Sequence, residues 1–291
     1  MIDTLCFSGG GVNALSFIGA FKNLINNKKL DITNIKNFIG TSMGGIILFF
    51  LSIGYDINEL YDFCIIFNFN ILFKSKKIIN NIIKDKCLKS HDKIISLFKS
   101  MLYNKYSIDD CTFEELHKLT NNNLMLIGCN YSLCKEEIFS YKNTPDMSVI
   151  TALTITMSIP CIFKPVLYNS NYYIDGCIVN NYPINHCDKK KTFGLFIENN
   201  TDNTGNIDNI FDLVYGTIKI IKSRLSENNN NDDHNNISIV LTNSVKVNMA
   251  SNNITNDNIQ HLLNIGYEQA ENFEIKNLEK SLNKYTQTDY R

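Results

Sequence analysis

The chain has 291 residues, of which 44% are hydrophobic and 20% charged, and its formal net charge is −1. That length holds one large α/β domain or two modest ones. The near-zero charge supplies no global field for nucleic acid or for an anionic membrane. Cysteines stand at 6, 64, 87, 111, 129, 134, 161, 177 and 187, an odd set with no Cys-x-x-Cys pair. This pattern fits reduced thiols in a cytosolic compartment better than a disulfide framework, and no metal-ligand spacing accompanies it. The opening MIDTLCFSGGG has neither a basic segment nor a long apolar run of the secretory kind, so a cytoplasmic location is expected.

In chain order, residues 3–7 read as a short buried strand that ends at glycines. VNALSFIGAFKNLINN (12–27) carries a helical apolar stripe, and IKNFIG (35–40) is a second strand. MGGIILFFLSIG (43–54) reads as a helix buried all round; the apolar run 38–55 that contains it is short for a membrane span. From 56 to about 120 the pattern is helical throughout, including SKKIINNIIK (75–84), HDKIISLFKSML (91–102) and TFEELHKLT (112–120). In the last of these, Thr112 and Glu115 have capping-box spacing. Strands are expected at 123–132 and 136–141, and a helix over 148–160 stopped by Pro160. Extended segments around turns follow over 164–184, then a core strand at 190–198. A long helix (208–225), a last strand (237–242) and a terminal helix (257–276) complete the chain. The tract SENNNNDDHNN (226–236) has nothing to bury and reads as a disordered loop, which makes His234 a poor catalytic candidate. Basic clusters at Lys74–Lys77 and Lys189–Lys191 read as solvated faces. Strands alternating with helices imply a mostly parallel sheet with both faces covered.

Gly9, Gly10 and Gly11 stand between the first strand and the first helix. Bare backbone at such a junction suits a phosphate cradled by N–H groups or an oxyanion held by them. Gly9 through Ala14 match G-x-G-x-x-[GA], the dinucleotide fingerprint. That fold also requires an acid at the end of the second strand, whereas here the strand ends in Gly40-Thr41-Ser42 and Asp31 precedes it. Gly40-Thr41-Ser42-Met43-Gly44 is instead G-x-S-x-G between strand and helix, the context of a nucleophile elbow. A serine nucleophile needs a base. His91 and His117 read as surface groups on amphipathic helices, and His261 lies in the terminal helix. His186, near a turn-rich segment, and Asp175, in an Asp-Gly turn, are the two candidates.

Together these residues resemble the patatin-like phospholipase family. Gly9 to Ala14 look like its glycine-rich oxyanion loop, Gly40 to Gly44 like its nucleophile motif, and Asp175-Gly176 like its aspartate motif. SIPCIFKPV (158–166) and NNYP (180–183) are similar to the runs before and after that aspartate. Asn13 stands where the family has a basic residue, Ala14 where it has a glycine, and Cys177 where it has glycine or alanine. The resemblance implies a three-layer α/β/α sandwich with a mostly parallel central sheet. It places the domain at 5–188, with 189–291 completing the same fold around a disordered loop at 227–236. It also implies a lipid acyl hydrolase without cofactor or metal. Ser42 would be the nucleophile, Asp175 the proton acceptor, and Gly9, Gly10 and Gly11 the oxyanion donors. The partners would be a lipid substrate and a transiently contacted membrane surface, with no nucleic acid. The alternatives are a Ser-His-Asp esterase using His186 and a catalytically weak or inactive lipid-binding member. The Phe- and Ile-rich segment 61–73 is the candidate acyl channel or membrane contact.

Overall fold

A computed structural model describes residues 1–73, 87–198, 235–240, 254–271 and 273, with isolated positions between 213 and 221. Strand β1 (Thr4–Phe7) leads through a 3₁₀ turn (Gly11–Leu15) into α1 (Ser16–Asn26). Then come β2 (Asn37–Thr41), α2 (Ser42–Ser52), α3 (Ile57–Ile66) and the single turn α4 (Asn70–Phe73). The middle of the chain holds β3 (Cys87–Lys89), α5 (Asp92–Tyr106), α6 (Phe113–Thr120), β4 (Asn123–Asn130), β5 (Lys135–Phe139) and α7 (Val149–Thr156). After these follow β6 (Cys161–Phe163), β7 (Val166–Tyr168), β8 (Asn171–Asp175), β9 (Thr192–Glu198), β10 (Asn235–Val240) and α8 (Asn256–Glu271).

The architecture is the α/β/α sandwich, built on a mixed sheet of order β10-β9-β1-β2-β4-β8-β7. Its first five strands run parallel, and β8, β7 and β5 join antiparallel. The two faces differ in depth. Leu5 and Phe7 point into the large core under the helices, where Phe7 meets Phe17 and Phe21 edge-on at 5.5 and 5.9 Å. Each buried ring contributes about 1.5–3 kcal/mol, which fixes the end of β1 on α1. Cys6, Ile39 and Ile127 point the other way, onto a thin cover that includes Tyr182 and Ile184.

One detail of pairing positions the site. Leu126 and Ile127 of β4 are paired with both β2 and β5, and Gly128–Asn130 with both β5 and β8. A strand has two edges, so β2 and β8 share one edge of β4, end to end. The last residue of β8, Asp175, therefore abuts the point where β2 ends at Thr41.

The region 56–120 is not wholly helical: β3 pairs in parallel with β6 as a separate two-stranded sheet. No local periodicity marks a three-residue strand whose partner lies far along the chain. Strand β10 begins at Asn235, inside the Asn-rich tract, because Asn235 and Asn236 pair with Phe193 and Gly194. The expected helix at 75–84, most of that at 208–225, Lys74–Lys77, His234 and the rest of the tract lie outside the described residues. Among the described residues no helix is long and apolar enough to cross a membrane.

Candidate active site

Phe7 of β1 is in register with Gly40 of β2, so the residues after both strands emerge side by side. Helix α2 starts at Ser42 with no intervening loop, and Ser42 takes φ +53°. A left-handed conformation at a non-glycine residue is strained, and here it is held from several sides. The Ser42 N–H donates to Thr156 Oγ1 at 2.9 Å, and that hydroxyl donates to the Ile127 carbonyl at 2.6 Å. Thr41 Oγ1 donates to the Asn180 carbonyl at 2.8 Å. Gly40 closes β2 against the first turn of α2. Gly44 permits a close approach: a Cβ there would stand 2.3 Å from the Ser8 carbonyl oxygen.

Ser42 Oγ donates to Asp175 Oδ2 at 2.7 Å. Ser42 is 4% exposed and Asp175 is fully buried. The other carboxyl oxygen, Oδ1, accepts the Cys177 N–H at 2.8 Å, and the Asp175 N–H donates to the Ser158 carbonyl at 2.9 Å. Gly176 opens the 3₁₀ turn that carries this donor. Cysteine in place of glycine or alanine at 177 thus keeps the amide that orients the carboxylate. The arrangement presents a hydroxyl at a helix N-terminus, where developing negative charge is favoured, beside a poorly solvated carboxylate able to take its proton.

The three glycines do not behave alike. The Gly9 N–H donates to the Asn181 carbonyl at 3.0 Å. This amide is therefore partnered in the structure. Among the described residues neither the Gly10 nor the Gly11 N–H has an acceptor. Gly11 takes φ +55°, a conformation that suits glycine. Asn13 lies on the 3₁₀ turn with its Oδ1 buried and without a partner among the described residues, and Ala14 is fully buried.

The histidines lie elsewhere. His186 Nε2 sits 2.8 Å from Glu136 Oε1 and 3.3 Å from Asn185 Nδ2. The structure thus brings His186 to Glu136 at an exposed position and not to the buried Ser42–Asp175 pair. His91 and His117 are half-buried rather than surface groups. His117 stacks on Tyr141, and its Nδ1 meets the Asn122 carbonyl at 2.8 Å. His91 stacks on Phe163, and its Nε2 lies 3.0 Å from Ser158 Oγ. That hydroxyl already donates to the Thr154 carbonyl at 2.6 Å, so His91 is the donor to it. Burial pushes the His91 ring down to about 4, with Lys164 adding to the effect and Asp92 opposing it. Asp31 lies in the exposed turn before β2, bonded to Thr33, away from the glycines. Burial pushes the Cys64 thiol up to about 12 and the Cys129 thiol to about 11, which leaves both protonated at neutral pH. Among the described residues no three His, Cys, Asp or Glu side chains cluster to hold a metal ion.

Sequence reasoning gave no role to Thr156, Ser158 or Asn181, although Ser158 and Asn181 lie in the family-like runs at 158–166 and 180–183. Thr156 and Ser158 had a signal: hydroxyls at 154, 156 and 158 interrupt an otherwise apolar run, and buried hydroxyls need partners.

A model of the patatin-like phospholipase domain matches residues 5–188. Over 182 residues the chain is 35% identical to a probable lipid hydrolase of Invertebrate iridescent virus 6, which covers 62% of this chain and 61% of that protein. Over 205 residues it is 32% identical to an uncharacterized protein of Acanthamoeba polyphaga mimivirus, covering 69% of this chain and 67% of the other. Its fold is similar to that of VipD from Legionella pneumophila, with TM-score 0.56 and 18% identity over 92% of this chain and 66% of VipD. The type III effector ExoU aligns with TM-score 0.51 and 13% identity over 93% of this chain and 52% of ExoU. With the oxyanion-loop, elbow and Asp-Gly motifs assembled at the ends of neighbouring strands and the domain match spanning all three, the chain belongs to the patatin-like phospholipase family.

Proposed function

We propose that this protein is a lipid acyl hydrolase of the phospholipase A type. It would cleave carboxylic esters of phospholipids or acylglycerols through a Ser42–Asp175 dyad. The observation that carries this reading is the 2.7 Å hydrogen bond from Ser42 Oγ to Asp175 Oδ2. Ser42 Oγ attacks the ester carbonyl as its proton passes to Asp175. The carbonyl oxygen, now an oxyanion, is held by the N–H groups of Gly10 and Gly11, each worth on the order of 3 kcal/mol of barrier. Collapse expels the alcohol, which takes the proton from Asp175. A water then gives a proton to Asp175 and attacks the acyl-enzyme, and that proton returns to Ser42 as the fatty acid leaves.

We read residues 189–291 as completing the fold begun at 5–188, supported by the place of β9 between β1 and β10. We also infer transient contact with a lipid surface. Support comes from segment 61–73, in which Ile66 and Ile71 stand 82% and 47% exposed beside the stacked Phe63 and Phe67.

The deciding experiment is hydrolysis of a labelled phospholipid and acylglycerol panel by wild type and Ser42→Ala, alongside fluorophosphonate labelling. Fatty-acid release and labelling lost together in Ser42→Ala is the expected result. Equal release by both proteins would overturn the dyad. Lipid binding without release or labelling would identify an inactive binding member.

A further inference from the structure

Gly9 is bound at both of its polar groups by one residue. Its N–H donates to the Asn181 backbone carbonyl at 3.0 Å, and its carbonyl accepts Asn181 Nδ2 at 3.3 Å beside Ser8 Oγ at 3.2 Å, so Asn181 supplies the contact that reaches it from across the chain. The missing side chain makes this possible: a Cβ on Gly9 would lie 2.7 Å from Asn181 Oδ1 and 3.2 Å from Ser42 Cβ. The neighbouring Asn180 carbonyl accepts Thr41 Oγ1 at 2.8 Å, directly before the nucleophile. The chain from Asp175 to Asn181 therefore carries the carboxylate, touches the elbow and grips the glycine loop.

We propose that Asn181 is the positioning residue of the oxyanion loop. By binding both polar groups of Gly9 it helps set the peptide planes that follow, leaving the Gly10 and Gly11 N–H groups without acceptors among the described residues and available to an oxyanion at Ser42. Donors aimed in advance at the developing charge stabilise a transition state without reorganising. A glycine loop with no such grip would sample many conformations, since glycine is the least restricted residue. The backbone half of the grip survives any side-chain change at 181, whereas the Nδ2 half does not. This inference rests on the hydrolase reading above.

The test uses the whole chain with a soluble p-nitrophenyl ester. Asn181→Asp, equal in size but unable to donate to the Gly9 carbonyl when ionised, and Asn181→Leu, similar in volume and apolar, are compared with wild type. The expected result is a fall in kcat of roughly 10- to 100-fold, a part of what losing an oxyanion donor outright costs, with KM within about twofold. A trifluoromethyl ketone adds a readout that a merely structural role would not move. Ser42 Oγ adds to its carbonyl carbon, the Ser42 proton passes to Asp175, and the carbonyl electron pair becomes an oxyanion. Its inhibition constant should rise by the same factor as kcat/KM falls. Hydrogen exchange on the unmodified protein tests the grip without a variant. The Gly9 amide should be protected while Gly10 and Gly11 exchange quickly. Wild-type kcat in both variants, or a Gly9 amide exchanging as fast as its two neighbours, would overturn the proposal. If wild type neither cleaves esters nor is labelled by fluorophosphonate, the hydrolase reading has failed, and the exchange pattern still decides whether Asn181 holds Gly9.

Discussion

After β1 the chain takes three residues and a 3₁₀ turn before α1 begins; after β2 it takes none, and α2 starts on Ser42 itself. The two strands are parallel neighbours in register, so the junctions differ in what they present and not in where they stand. The longer junction leaves the Gly10 and Gly11 amides without acceptors among the described residues. The abrupt one forces a side chain outward at φ +53° and surrounds it with partners. One strand-to-helix crossing thus presents backbone N–H groups and its neighbour presents the Ser42 hydroxyl, the two parts the proposed mechanism uses. The length of the connection decides which.

The comparison breaks most completely at Asp175. Asp175→Asn keeps the size and can still meet Ser42, but it removes the proposed base; kcat is expected to fall about 10⁴-fold, by analogy with neutralising the carboxylate of a catalytic triad. Single-turnover kinetics on a chromogenic ester would check it. Gly44→Ala tests where the junctions touch, since the new methyl would press on the Ser8 carbonyl. A loss of about 3 kcal/mol of stability is expected from such overpacking, read as a shift in urea midpoint. His91 sharpens the comparison from behind the carboxylate. It stacks on Phe163 and donates to the serine whose backbone carbonyl holds the Asp175 N–H. Its folded value, about 4, lies below the ordinary 6.5. The unfolded chain therefore binds a proton as pH falls from about 6.5 to 4 while the folded chain does not, and stability is lost across that window. Between pH 7 and pH 4.5 this loss is on the order of 2 kcal/mol after allowing for solvent screening. Urea titrations of His91→Gln should lack that part of the pH dependence. Thr156→Val leaves the Ser42 N–H without an acceptor and should lower kcat about 10-fold, roughly 1.4 kcal/mol, as read by steady-state kinetics. The smallest effect belongs to His186→Ala: with its ring on Glu136, ester hydrolysis should stay within about threefold of wild type, a change below 1 kcal/mol. A loss as large as that of Asp175→Asn would restore the histidine mechanism.

Both junctions were legible in the sequence because each is local. A strand, its glycines or serine and the following helix lie within a dozen residues, and periodicity with turn chemistry marks them. The capping box at Thr112 and Glu115 was legible for the same reason and is present. What escaped depends on partners far along the chain. β3 gains strand character only from β6, Asn235 and Asn236 only from β9, and the burial of His91 only from Phe163 and Ser158. The Gly9 amide looks identical to those of Gly10 and Gly11 until Asn181 is placed beside it. The Ser42–Asp175 contact was expected from the family resemblance but not from local pattern. Each residue has a local signature, yet their meeting is set by β2 and β8 sharing one edge of β4.

That shared edge acts as a gauge of assembly. Ser42 and Asp175 are separated by 133 positions, and each is delivered by its own strand to consecutive stretches of β4. Because side chains alternate across a sheet, a slip of one residue in β8 would turn the carboxylate to the opposite face. The hydroxyl–carboxylate contact therefore exists only when two distant pairings are both in register. Such long-range pairings are slow to form, because their loop-closure entropy must be met first. A chain that is compact and helical but mispaired at this edge would keep its helices and lose the Ser42–Asp175 contact.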